Sequence, residues 1–231
     1  MVRTLCLLLA ASGCAAGGEV VVIGHRAQGI GSSGENRALN VPHLFDAGFG
    51  AEIDIRGDGE LQFELGHFTA NGDSLEGALG GIQAAWRLDW QGRWLVLDIA
   101  NDRGDQVSNN LINYLYQRVP GTDLEGVRLV VQSSNEQSLA RMQSAHVTRG
   151  ELLDIRFALT YWVSTEYTTA SWVDLVAGNV SAFGELSHPK PVVLFGVETR
   201  ASFRRALESR NDVVGVITNH PRRISELCDC R

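Results

Sequence analysis

Short apolar runs recur along this chain, and polar or helix-like stretches separate them. Nine of these runs have the length and composition of β-strands. Several are apolar at consecutive positions, which is typical of strands covered on both faces in a parallel sheet. The predicted strands span residues 19–25, 50–56, 61–67, 94–100, 127–133, 153–159, 180–183, 192–198 and 213–219.

Four of the intervening stretches carry helix signals. Gly48 is a typical helix stop, Glu136 follows a Ser-Asn pair that can cap a helix, and Thr199 is a capping residue before another helical stretch. Strands that alternate with helices predict an α/β architecture. The predicted helices span residues 36–48, 134–146, 199–211 and 220–228.

The second and third predicted strands are joined by the sequence GDG at residues 57–59, a strong signal for a tight hairpin. A hairpin partner runs antiparallel and need not belong to the main sheet. Eight strands then remain, the number that closes a (β/α)8 TIM barrel. The chain of 231 residues suits one such domain, with a short β-hairpin after the second strand.

Composition narrows the possible partners. Apolar residues make up 44% of the chain, which is enough for a sizeable core. The net charge of −7 argues against a surface that binds nucleic acid or an anionic membrane. We therefore expect no nucleic-acid partner, and a membrane contact only through a lipid anchor.

Residues 1–18 have the pattern of an export signal. Arg3 precedes a short apolar run from Leu5 to Ala11, which is too short to cross a bilayer as a helix and is typical of a secretory signal. The segment LAASGC also resembles the bacterial lipobox, in which the cysteine, here Cys14, carries the lipid. An ordinary cleaved signal and an unmodified cysteine are the alternatives. We predict an exported protein, periplasmic or anchored as a lipoprotein, with residues 19–231 as the barrel.

Two further cysteines, Cys228 and Cys230, lie at the end of the chain. A disulfide between residues so close in sequence would be strained. These thiols could bind metal adventitiously, pair between chains or belong to a tail without function.

Polar residues follow or interrupt the predicted strands near their carboxyl ends. The active sites of (β/α)8 barrels gather at that rim, so groups from separate strands are expected to converge there. The candidate residues are His25, Arg26, Glu52, Asp54, His67 and Asp98.

Glu52 and Asp54 are two residues apart in a strand, so their side chains share one face, while Ile53 and Ile55 point to the other. Two buried carboxylates repel each other and lose hydration, and a divalent cation relieves both effects. With Asp98 they form a set of oxygen ligands suited to Mg²⁺ or Ca²⁺. A carboxylate pair of this spacing can also be solvated or salt-bridged.

His25 and His67 are candidates for general acid and base, because imidazole gains or loses a proton near neutral pH. A histidine considered alone is more often a structural residue with satisfied hydrogen bonds. His220 follows the last predicted strand and is a further residue that could reach the rim.

Several motifs, in order along the chain, resemble those of the glycerophosphodiester phosphodiesterase family, within the wider phosphatidylinositol phospholipase C-like barrels. The resemblance spans most of the chain after the signal region. The matching segments are VIGHRAQG for the family's opening His-Arg-Gly motif, GEN for its Glu-Asn segment, AGFGAEIDIR for its metal-binding strand, ELGH for the strand with its second catalytic histidine, VVQSSNEQSLARM for its mid-barrel strand and helix, and VVGVITNHPRRISEL for its closing strand and helix.

The resemblance implies a metal-dependent phosphoric diester hydrolase that acts on glycerophosphodiester-like or envelope-derived phosphodiesters. It implies that one histidine activates a substrate hydroxyl and the other protonates the leaving alcohol, and that Arg26 holds phosphate oxygens through its guanidinium fork. The implied acid/base pair is His25 and His67, and the implied metal ligands are Glu52, Asp54 and Asp98.

Three positions depart from the family pattern. Phe68 stands where the family has Asp, Ala100 where it has Lys, and Ala27 where it has Gly. The loss of two charged groups favours an alternative: a catalytically weakened barrel that binds phosphorylated glycans or lipids without turnover.

Overall fold

A computed structural model describes residues 14–15, 19–28, 34–57, 62–101, 106–161, 171–183, 189–208 and 212–228 of the chain. Within these ranges there are ten strands, eight of which are parallel. The strands are β1 (Cys14–Ala15), β2 (Glu19–Gly24), β3 (Gly50–Gly57), β4 (Phe63–Leu65), β5 (Trp94–Asn101), β6 (Arg128–Ser133), β7 (Ile155–Tyr161), β8 (Leu175–Asn179), β9 (Val192–Phe195) and β10 (Val213–Thr218).

The eight parallel strands form a closed barrel. In order around it they are β2, β3, β5, β6, β7, β8, β9 and β10, and β10 pairs with β2 to close the ring. At the closure Ile217 pairs with Ile23, which in turn pairs with Gly50 of β3. Helices lie between the strands, so the predicted (β/α)8 TIM barrel is confirmed.

The other two strands lie outside the barrel and run antiparallel. β4 pairs with β3, with Ile55 opposite Leu65, which confirms the hairpin predicted after the second barrel strand. The end of β4 is fixed by Gly66, whose φ of 141° favours glycine, and a Cβ there would lie 2.0 Å from the carbonyl oxygen of Thr69. Residues 58–61, which join the two strands, lie outside the described residues.

All four predicted helices are present in the structure, with shifted ends. Asn135 caps one of them by accepting a hydrogen bond from Ser138 N, and Thr199 and Ser202 form a capping box at another. No helix in the described ranges is long and apolar enough to cross a membrane. The helices are α1 (Asn40–Asp46), α2 (Leu75–Ala84), α3 (Gln106–Arg118), α4 (Glu136–Thr148), α5 (Val180–Phe183), α6 (Arg200–Leu207) and α7 (Pro221–Cys228).

One strand prediction is wrong. Residues 180–183 form the short helix α5, and the sixth barrel strand along the chain is β8, immediately before it. Asn179 ends the strand because its Oδ1 accepts a hydrogen bond from Ser181 N (2.9 Å) and so caps the first turn of the helix. The four-residue run VSAF has the apolar character of a strand, and periodicity cannot distinguish the two over so short a length.

The alternation of side chains along β3 is as predicted. Ile53 and Ile55 are fully buried in the outer apolar layer beneath the helices. The barrel interior has a separate apolar cluster that includes Ile23 and Val96. Glu52 pairs in register with Val96, so the carboxylates of β3 belong to the inner face.

The chain termini are described only in part. Cys14–Ala15 pairs antiparallel with β2, whereas residues 1–13 and 16–18 lie outside the described residues. The export signal and lipidation at Cys14 therefore stay predictions. Cys228 ends α7, and Cys230 lies outside the described residues.

Candidate active site

Three carboxylates meet inside the barrel near the carboxyl ends of β3 and β5. Asp54 is the register partner of Asp98, and Glu52 lies two residues before Asp54 on the same face. Each contributes an oxygen within 4.8 Å of those of the other two. Glu52 is 2% exposed and Asp54 1% exposed, so these charged groups are almost entirely removed from water.

Burial and mutual repulsion dominate the electrostatics of this cluster. Burial, together with the charges of Asp54 and Asp98, raises the pKa of Glu52 well above its ordinary value. Burial and the charge of Asp54 raise the pKa of Asp98 to about 7, although a hydrogen bond from Gln132 acts in the opposite direction. Such a set of hard oxygen donors fits a divalent cation, whose charge would remove the repulsion.

His25 follows β2 directly, at the start of a single 3-10 turn that spans His25–Ala27. Its Nδ1 lies 2.9 Å from Asn219 Oδ1, and its Nε2 lies 3.9 Å from Glu52 Oε2. Burial lowers the pKa of His25, and the hydrogen bond to Asn219 partly offsets this effect. The ring is therefore held at one nitrogen and turned towards the carboxylates at the other.

His67 lies beyond β4 and approaches the cluster from the hairpin. Its Nδ1 lies 2.9 Å from Asp54 Oδ1, and its backbone carbonyl accepts a hydrogen bond from Arg56 at 2.6 Å. The ring of Phe68 contacts it edge-on at 4.4 Å between centroids, yet Phe68 is itself 81% exposed. An apolar side chain at the rim thus borders one of the two histidines.

The backbone of the 3-10 turn also serves the site. Arg26 and Ala27 have φ values of 51° and 47°, in the left-handed region, which is why a glycine is well suited to the position of Ala27. This conformation directs the Arg26 N–H at Glu52 Oε2, 2.6 Å away. The Arg26 guanidinium lies 2.8 Å from Glu35 and 3.3 Å from Asp54. Its predicted contact with phosphate stays a prediction.

Asn36 is a site residue to which the sequence analysis gave no role. Its amide donates to Asp54 Oδ2 and accepts from Asp54 N, both at 2.7 Å. Its φ of 56° is again left-handed, and its carbonyl accepts a hydrogen bond from Asn71. Asn36 therefore fixes both the backbone and the carboxylate of Asp54.

All six candidate residues of the predicted catalytic site line one cavity of about 50 Å³. Gln132 and Thr160 also line it and were missed. Gln132 is the register partner of Asp98. The available signal was a polar residue directly after the three apolar residues of β6. Thr160 is 6% exposed, and its hydroxyl has no hydrogen-bond partner among the described residues. His220 is not among the residues that line the cavity; its ring contacts Glu198 at 4.0 Å.

Fold and site together define a (β/α)8 barrel with a carboxylate cluster and two histidines near the carboxyl ends of its strands. Several solved structures share this fold. A candidate glycerophosphoryl diester phosphodiesterase from Silicibacter pomeroyi DSS-3 superposes with a TM-score of 0.72 at 16% identity, over 96% of each chain. The fold expected from the family resemblance is thus confirmed.

Two further neighbours carry the same description. One is the glycerophosphoryl diester phosphodiesterase domain of an uncharacterized Mycobacterium tuberculosis protein, with a TM-score of 0.54 at 16% identity, over 90% of this chain and 98% of that one. The other is a glycerophosphodiester phosphodiesterase from Agrobacterium tumefaciens, with a TM-score of 0.53 at 12% identity, over 91% and 99%. No protein-family model matches the sequence, and no curated protein matches it significantly.

Proposed function

We propose that this protein is a metal-dependent phosphodiesterase that cleaves glycerophosphodiester-like or envelope-derived phosphodiesters. The observation that carries the proposal is the convergence of His25, His67 and three carboxylates, two of them buried, in one cavity. The names of the three structural neighbours support the same chemistry.

Glu52, Asp54 and Asp98 would hold the cation, which is Mg²⁺ or Ca²⁺. A bound divalent cation stabilises negative charge that develops on phosphoryl oxygens. Without it, the raised pKa values of Glu52 and Asp98 favour retention of protons on the cluster.

The two histidines have different surroundings, which assigns them different roles. His25 is partly buried beside a neutral amide, and this burial lowers its pKa, which favours the unprotonated form that a general base requires. It takes the proton of the attacking hydroxyl at Nε2. His67 has Nδ1 within hydrogen-bond distance of the Asp54 carboxylate, which orients the ring so that Nε2 can donate a proton to the leaving alcohol oxygen.

Arg26 supplies a positive charge beside the cluster. Its guanidinium is 3.3 Å from Asp54 and lines the cavity. A phosphate in the cavity would compete with Glu35 for this guanidinium, because both present oxygen acceptors.

The test is turnover of glycerophosphodiesters such as glycerophosphocholine by the purified protein, with Mg²⁺ or Ca²⁺ and with chelator. We expect cation-dependent turnover that His25→Ala and His67→Ala each reduce by at least about 10²-fold. The matched control is His43→Ala, on the exposed side of α1, which should retain full activity. Turnover unaffected by chelator and by both histidine substitutions would contradict the proposal.

A second candidate function is a binding protein for phosphorylated glycans or lipids without turnover. The observation that favours it is Phe68, an exposed aromatic residue in contact with His67 where the family pattern has an acid. Cation binding abolished by Glu52→Gln, in a protein that binds phosphodiesters without cleaving any, would support this alternative.

We also propose that the protein is exported and carries lipid at Cys14. The basis is the sequence of the first 18 residues alone. Expression in a bacterium with labelled palmitate should label the wild type and not Cys14→Ser. A cleaved but unlabelled protein would indicate an ordinary secretory signal.

A further inference from the structure

We infer that Glu198 is a positioning residue that fixes the amide orientation of Asn219 and, through it, the tautomer of His25. The inference about the tautomer is independent of the proposed function. Its effect on turnover rests on the proposed function, in which His25 is the general base.

Glu198 and Asn219 come from neighbouring strands of the barrel. Glu198 lies three residues beyond β9, and Asn219 directly follows β10. Glu198 Oε1 accepts from Asn219 Nδ2 at 3.1 Å, and both of its oxygens accept from Asn219 N, at 3.2 and 3.1 Å. Its Oε2 also accepts from the hydroxyl of Thr218 at 3.3 Å. The carboxylate therefore holds both the backbone and the side chain of Asn219.

The donor and acceptor properties of these groups determine where the protons lie. An ionised carboxylate only accepts hydrogen bonds, so the Asn219 atom that faces Glu198 must be the NH₂ group. The carbonyl oxygen of the same amide then faces His25 Nδ1, 2.9 Å away. Because this oxygen also only accepts, neutral His25 must carry its proton on Nδ1.

This tautomer leaves Nε2 with a free lone pair on the side of the carboxylate cluster, 3.9 Å from Glu52. The reversed amide would donate to Nδ1, and the proton of neutral His25 would move to Nε2. An imidazole protonated there cannot accept a proton from an attacking hydroxyl. Glu198 therefore determines the tautomer of His25 without contacting the ring.

The first measurement is the ¹⁵N chemical shifts of the His25 ring at about pH 8.5, where an ordinary imidazole is neutral. We expect Nδ1–H as the dominant tautomer in the wild type and in Glu198→Gln, whose carbonyl oxygen can still accept from Asn219. Glu198→Ala should give a mixture of tautomers. The matched control is Glu208→Ala, at the exposed end of α6, which should retain the wild-type spectrum.

The double variant Glu198→Ala with Asn219→Asp separates positioning from a general loss of structure. A carboxylate at position 219 only accepts, so it needs no partner to impose Nδ1–H on His25. We expect it to restore the wild-type tautomer. An unchanged tautomer in Glu198→Ala, or a mixture that the second substitution does not correct, would overturn the inference.

Turnover then reports the consequence. We expect Glu198→Ala to lower kcat about tenfold with KM within about twofold, because the loss falls on proton transfer rather than on binding. A tautomer change in a protein that shows no turnover even as wild type would uphold the positioning role and reject the proposed function. An unchanged kcat beside an altered tautomer would reject His25 as the base.

Discussion

Asp54 Oδ1 lies 2.9 Å from His67 Nδ1, so the same carboxylate belongs to the acidic cluster and is a hydrogen-bond partner of a histidine. Its other oxygen accepts from Asn36 at 2.7 Å and lies 3.3 Å from the Arg26 guanidinium. Any change at Asp54 is therefore expected to affect cation binding and proton transfer together.

The first prediction concerns Asp54→Asn. We expect turnover to fall by at least about 10²-fold and cation affinity to fall with it, because an amide is a weaker ligand and can present NH₂ to His67. Steady-state kinetics and calorimetric titration with Ca²⁺ measure the two effects. Asp46→Asn, which removes an exposed ion pair with Arg87, is the control and should alter neither. Loss of cation affinity with wild-type kcat at saturating cation would show that His67 does not depend on Asp54.

The second prediction concerns the stability of the metal-free protein. The pKa of Asp98 in the fold is about 7, above its ordinary value of 3.8, so the folded state binds this proton more tightly than the unfolded state. The stabilisation is complete below about pH 4 and is lost as the pH rises through about 7. The variant Asp98→Asn has no carboxylate at this position and therefore lacks this pH dependence. In the presence of a chelator, the free energy of unfolding of the variant should increase relative to that of the wild type between about pH 4 and pH 8.

Denaturant titrations of both proteins at several pH values measure this difference. The difference at high pH should shrink when saturating Ca²⁺ or Mg²⁺ is added, because the cation stabilises the ionised carboxylates of the wild type. A difference that stays constant with pH would mean that Asp98 does not titrate in this range.

The third prediction concerns the rim position Phe68. The side chain is 81% exposed, so Phe68→Asp should change the free energy of unfolding by no more than about 0.5 kcal/mol. A carboxylate beside His67 favours the imidazolium that serves as the acid. The alkaline limb of the pH–rate profile should therefore move to higher pH. A profile superimposable on that of the wild type would argue against His67 as the acid.

The fourth prediction concerns Asn36, whose side chain makes two buried hydrogen bonds to Asp54. Asn36→Ala should lower the free energy of unfolding by about 2–4 kcal/mol, because it leaves the buried backbone N–H of Asp54 without its acceptor. Asn36→Gly should be less damaging by about 1 kcal/mol, since the φ of 56° is accessible to glycine. Equal losses for the two variants would show that the backbone conformation carries no strain.

The sequence predicted strands well where an apolar run was long and bounded by polar residues, as at β3 and β5. It failed at residues 180–183, where the side chain of Asn179 ends a strand and starts a helix. It also missed α2, whose three glycines weaken the helix signal. In each case a local pattern was outweighed by a cap or by tertiary packing that supports a poor helix former.

The sequence by itself determined the barrel, through the number of its apolar runs. It also determined that Glu52 and Asp54 lie on the same, inward face, because strand alternation depends on residue spacing alone. It also marked His25, His67 and Asp98 as candidates, since polar groups near strand ends are conspicuous. Only the tertiary structure decided which atoms face each other. His25 and Asn219 are 194 residues apart, and they meet because β10 closes the barrel against β2. Hydrogen bonds of that kind have no local signal, and they set the proton positions on which the chemistry depends.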